Sequence, residues 1–188
     1  MNETEFYIRL QRRIAQTAVG ASAIRNQGKK GDVGLIKSCR DYFENELNIE
    51  EFFNLLTSET LFKEFLDRHT STLTNRFPET AKSWGAARKG LNLFLRDLTY
   101  NKYIADKYNL PKEFNENNEK LKNLEVPLDK DVALGLHAQF TGQLPKWAGI
   151  KHLQPKENEI YQEKAKELAN GRSIARIHLD LEFWRDKR

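Results

Sequence analysis

Between Pro78 and Pro111 the chain runs without a proline, and from Ser83 to Tyr108 its apolar residues return at every third or fourth position. A stretch of that length and period fits one face of a helix and not the alternation of a strand, so it predicts a single long helix from about Ser83 to Tyr108. Advancing 100° per residue from Trp84 puts Ala87, Leu91, Phe94, Leu95 and Leu98 on one side. Lys89 falls opposite them, with Leu93, Arg96 and Tyr100 nearby, in mixed company that suits the wall of a cleft.

The same period recurs along the chain. Residues 5–19 space Phe6, Ile8, Leu10, Ile14 and Val19 as an amphipathic helix that should end at Gly20, and further helices are expected at 33–46, 49–57 and 59–75. Val126-Pro127-Leu128-Asp129 opens another, and a last one runs from about Lys156, interrupted at Asn170-Gly171, through Ile174 to Trp184. No period-two pattern competes, so the fold class is all-α. Gly20, Gly28, Gly31 and Gly34 bracket Arg25-Asn26-Gln27, a loop in which backbone can come close to a ligand.

With 188 residues, 39% of them hydrophobic, the chain is long enough for one domain of two lobes, expected at about 1–80 with the C-terminal helix, and 81–155. The net charge of +4 draws only weakly toward nucleic acid. Cys39 is the only cysteine, which excludes an internal disulfide and any site of several thiolates, and the four histidines have no metal-binding spacing. No basic segment precedes an apolar run at Met1-Asn2-Glu3-Thr4-Glu5, and no apolar run is long enough for a bilayer, so a soluble, cytoplasmic protein is expected.

Three groups of residues have chemical promise. An amine becomes nucleophilic when desolvated or crowded by another cation, and Arg88 and Arg96 are candidates to crowd Lys89; the plain alternative is a solvated lysine. Asp129 lies at the positive end of a helix dipole, where it either caps the helix or stays ionised to take a proton or stabilise a cationic sugar. Asp180 and Trp184 lie one turn apart beside the apolar stripe of Ile174, Ile177 and Leu181. They form either an ion pair with Arg176 or Arg185 beside a core indole, or a base pocket in which the indole stacks and the carboxylate reads an edge. Lys146, Lys151 and His152, around Trp147 and Gly149, are candidates to hold a DNA backbone.

Ser83-Trp84-Gly85-Ala86-Ala87-Arg88-Lys89-Gly90-Leu91-Asn92, followed by Val126-Pro127-Leu128-Asp129, resembles the lysine and aspartate elements of the helix-hairpin-helix superfamily of DNA glycosylases. The nearest branch is the archaeal 8-oxoguanine glycosylase type, whose late aspartate and tryptophan Asp180 and Trp184 match. The usual glycine-hydrophobe-glycine hairpin before the lysine is not recognisable, so the resemblance implies a two-lobed helical fold with a divergent hairpin. It implies a DNA glycosylase and AP lyase of base-excision repair, a monomer without cofactor or membrane, acting on double-stranded DNA that contains a modified base. Lys89 would be the nucleophile, Asp129 its carboxylate, Gln27, Asp180 and Trp184 the base readers, and Arg88 a DNA contact. Lys82 is the competing lysine. A second resemblance, to bacterial phage-defence glycosylases, would make the base a glucosylated hydroxymethylcytosine. The rival readings are a non-catalytic helical nucleic-acid binder, and a nuclease toxin using His69 or His178 beside a basic cluster.

Overall fold

Side chains that accept from exposed backbone amides start most of the helices. In the computed structural model, which describes residues 1–21, 23–24, 34–114 and 119–184, Asn2, Asn48, Ser58, Ser83, Asn101 and Asp129 each accept from an amide in the first turn that follows. The helices so begun, with two lacking a side-chain cap and one opened by a capping box at Gln154, are α1 (Glu3–Ala18), α2 (Leu35–Asn45), α3 (Ile49–Leu55), α4 (Glu59–Arg76), α5 (Trp84–Tyr100), α6 (Lys102–Lys107), α7 (Lys130–Gln139), α8 (Pro155–Gly171) and α9 (Leu179–Phe183). Short 3-10 turns cover Glu79–Ala81, Ile150–His152 and Arg176–His178. The fold is all-α, with no strand among the described residues. No helix among them is long and apolar enough to cross a membrane.

One expected helix is divided, and the C-terminal one breaks where its interruption was expected. The segment from Ser83 to Tyr108 divides at Asn101, whose extended backbone ends α5 while its side-chain oxygen accepts from Tyr103 (3.1 Å) and Ile104 (3.3 Å) to start α6. Asparagine competes with the helix for its own backbone bonds, and the wheel took no account of that. The C-terminal segment stops at Gly171, turns through Ser173 in the left-handed region (φ 56°), and resumes only as the 176–178 turn and five-residue α9.

Apolar side chains gather in two clusters. One joins α1 to α6 with Leu110, Leu121, Leu124, Ala175 and Ile177; Phe43 of α2 stacks on Phe94 of α5 at 4.6 Å within it. The other joins Val126, Leu128, α7, Leu153, α8 and Leu179. The C-terminal segment contributes to both: Tyr161, Ala165 and Ala169 of α8 pack in the second cluster with α7, while Ala175 and Ile177 pack in the first. Helix α5 serves both lobes. Its Ala87, Leu91, Phe94, Leu95 and Leu98 enter the first cluster, while Trp84 packs on the second. Gly85 lets the start of α5 lie against the 150–153 backbone, where a Cβ would stand 2.2 Å from the Ile150 oxygen.

Buried polar groups stitch the two clusters together at residues 123–126. Arg176 donates to the carbonyls of Asn123, Leu124 and Gln162 at 3.0–3.1 Å. Gln162 accepts from the Val126 amide (3.1 Å) and donates to the Val126 carbonyl (2.8 Å), as a neighbouring strand would. Glu125 accepts from Arg88 and Asn92, each at 3.0 Å. Burial disfavours its charge, yet Arg88 and Arg176 outweigh that and hold its carboxyl below the usual range. Saturated in this way, the network is consistent with a fixed approach to Asp129.

Candidate active site

Lys89, Leu93, Arg96 and Tyr100 share one stripe of α5, on which Lys89 and Arg96 each meet a carboxylate. The Lys89 amine lies 3.4 Å from Oδ2 of Asp129, across 40 residues of sequence. Its side chain is only 8% exposed, against 33% for Asp129. Asp129 caps the helix that follows it, as its position before that helix suggests, and one of its oxygens remains for Lys89. Oδ1 accepts from the amides of Asp131 (2.9 Å) and Val132 (3.0 Å), capping α7, and leaves Oδ2 for the lysine. Lys82 pairs instead with Glu79, three residues away at the surface, so Lys89 is the lysine that reaches Asp129.

Asp180 joins the same electrostatic group. It pairs with Arg96, which also donates to Asp97 at 2.7 and 2.9 Å. Burial pushes the pKa of the Asp180 carboxyl above the usual range, Arg96 opposes the rise without cancelling it, and the charges of Asp129 and Lys89 are close enough to add smaller effects of either sign. Among the described residues the partner of Asp180 is thus Arg96, and not Arg176, whose guanidinium is bonded to backbone carbonyls; Arg185 lies outside the described residues. Beyond Arg96, Tyr100 stacks on His178 and its hydroxyl lies 2.9 Å from the ring Nδ1.

Other expected residues are placed differently. Arg88 is not available to a phosphate: it is 3% exposed and donates to Asp67 (2.8 Å), Thr70 (2.9 Å) and Glu125 (3.0 Å). Nor does it crowd Lys89 with positive charge, since Arg88 and Arg96 are both turned to carboxylates. Trp184 ends α9 with 65% of its surface exposed, so it is neither a core indole nor enclosed with Asp180. Lys146, Lys151 and His152 are exposed. The turn carrying the last two is tied to the start of α5 through the Ser83 hydroxyl, which donates to the Lys151 carbonyl at 3.2 Å. Gln27 lies outside the described residues.

The wheel had placed Arg96 and Tyr100 beside Lys89, so their presence was legible, but the link from Arg96 to Asp180 spans 84 residues and left no local trace. Glu125 and His178 were missed as parts of the assembly. A buried acid immediately before Val126-Pro127 was the one signal for the former. No group of three or more metal-ligating side chains occurs among the described residues. Compared with protein-family models, with curated proteins and with solved structures, the chain matches none.

Proposed function

We propose that the chain is a DNA N-glycosylase with AP lyase activity that excises a modified base from double-stranded DNA. One observation carries this reading: a buried amine, Lys89 Nζ, sits 3.4 Å from a carboxylate whose other oxygen is already held by helix amides. A lysine that merely contacted phosphate would gain nothing from a carboxylate 3.4 Å away, which competes for its charge. The nuclease alternative fares no better through His69, which is buried and bonded to the Tyr42 hydroxyl.

In the proposed reaction the nucleotide is drawn out of the duplex to the α5 stripe. Lys89 passes a proton to Asp129 and bonds to C1′ as the bond from C1′ to the base nitrogen breaks; the electron pair leaves with the base, which takes up a proton. Opening of the C1′–O4′ bond, with a proton to O4′, leaves a Schiff base on Lys89. Loss of a C2′ proton then expels the 3′ phosphate by β-elimination. Asp180 and Trp184 are the proposed base contacts, and Lys146, Lys151 and His152 the backbone contacts.

The greater exposure of Asp129 favours a second version, in which it activates water and the reaction stops at an abasic site. Borohydride reduction of the protein with duplexes carrying different modified bases separates the two. A covalent adduct lost in Lys89→Ala supports the lyase route, and base release without an adduct supports the hydrolytic one. No base release from any duplex sinks both.

A further inference from the structure

Among the described residues, one buried side-chain nitrogen has no hydrogen-bond partner: Nε2 of His178. An unsatisfied buried polar atom is costly and calls for an explanation. The position of His178 supplies one. It lies two residues before Asp180, the acid held by Arg96, and its ring stacks on Tyr100, one turn beyond Arg96 on the stripe that begins at Lys89. The partnerless atom thus sits on a ring tied through Tyr100 to the stripe that carries Lys89 and Arg96.

We propose that His178 Nε2 is a specificity-determining hydrogen-bond donor that reads an acceptor, such as a carbonyl oxygen, on the extruded modified base. The Tyr100 hydroxyl sits at the other ring nitrogen, 2.9 Å from Nδ1. When the phenol donates there, the ring proton is on Nε2, the free atom. Burial lowers the basicity of His178 and holds the Tyr100 phenol in its protonated form, which suits that arrangement of a neutral ring. The surroundings favour a neutral acceptor over a phosphate. Burial alone lowers the basicity of His178, and setting an anion at a desolvated neutral ring costs more than setting a neutral acceptor there.

A donor that only the right base satisfies discriminates strongly, because a base without the acceptor leaves it unpaired. The role is separable from the chemistry at Lys89, since the sugar of an abasic site presents no base to read.

The inference rests on the glycosylase reading, and the test uses the full chain with His178→Phe and His178→Gln. Each is assayed for base release from modified-base duplexes and for borohydride trapping on an abasic-site duplex. We expect His178→Phe to lower base release at least tenfold while trapping stays within twofold of wild type, and His178→Gln, whose amide can donate from a similar place, to recover most of the loss. Equal losses in both assays would mean a structural role and overturn the proposal, as would unchanged base release in His178→Phe. If the wild-type protein itself releases no base from any duplex, the glycosylase reading has failed, and this inference falls with it. Inorganic phosphate is added as a competitor: inhibition of base release in wild type but not in His178→Phe would identify an anion site and also overturn the proposal.

Discussion

Replacing Asp129 by Asn and by Ala separates the two uses of its carboxylate. Asn caps a helix about as well as Asp, so Asp129→Asn keeps the bonds to the Asp131 and Val132 amides and removes only the charge facing Lys89. Breaking a fully buried ion pair costs about 3–5 kcal/mol and breaking an exposed one about 0–1 kcal/mol. With the lysine buried and the aspartate one-third exposed, the expected loss is intermediate, about 1–2 kcal/mol. Asp129→Ala loses the cap as well, adding about 1 kcal/mol. Lys89→Met in the Asp129→Asn background removes the stranded ammonium and should restore about 1 kcal/mol. Urea unfolding of the four proteins reads these differences as midpoint shifts at a common slope. Equal stability of the Asn and Ala variants would refute the cap, and the absence of recovery on adding Lys89→Met would refute the coupling of the pair. Both single substitutions at Asp129 should abolish borohydride trapping.

Arg88→Ala should destabilise by about 3–5 kcal/mol in urea, since it strands Glu125 in the interior, while the salt dependence of DNA binding by the folded variant stays that of wild type. Gly85→Ala forces a Cβ against the Ile150 carbonyl and should cost about 1–3 kcal/mol by the same measurement. His69, whose basicity burial lowers to about 4 from an ordinary 6.5, is neutral when folded, so the unfolded chain binds its proton first as pH falls. Its contribution is complete above pH 6.5 and shrinks between 6.5 and about 4. A drop of about 2 kcal/mol between pH 7 and 5 in wild type should be largely absent in His69→Phe.

The helices were legible because apolar period and capping residues act over a few positions. Ser83 and Asp129 could be read as caps from their neighbours alone. The break at Asn101 was a local signal too, overruled in the wheel reading by the apolar period running across it. What could not be read was pairing at a distance. Nothing near Arg88 tells that Asp67 and Glu125 will claim it, so it passed for a surface cation beside a reactive lysine. Asp180 was recognised as an acid that needs a partner, yet the choice of Arg96 depends on how α9 docks against α5. The joining of Lys89 to Asp129 came from the resemblance, and the geometry adds what the sequence lacks: the assignment of each oxygen.

The clasp of Gln162 on Val126 bears on the order in which the molecule becomes competent. Helix α8 has its own capping box and can begin locally, but the stretch leading to Asp129 has no helical bonds of its own and takes its path from that side chain. The lysine is carried by a helix that packs mainly with the N-terminal lobe, the aspartate by a segment that the C-terminal lobe holds. A chain in which the two clusters have not docked therefore has its amine and its carboxylate apart. Damage to that docking should silence the protein well before its helices melt.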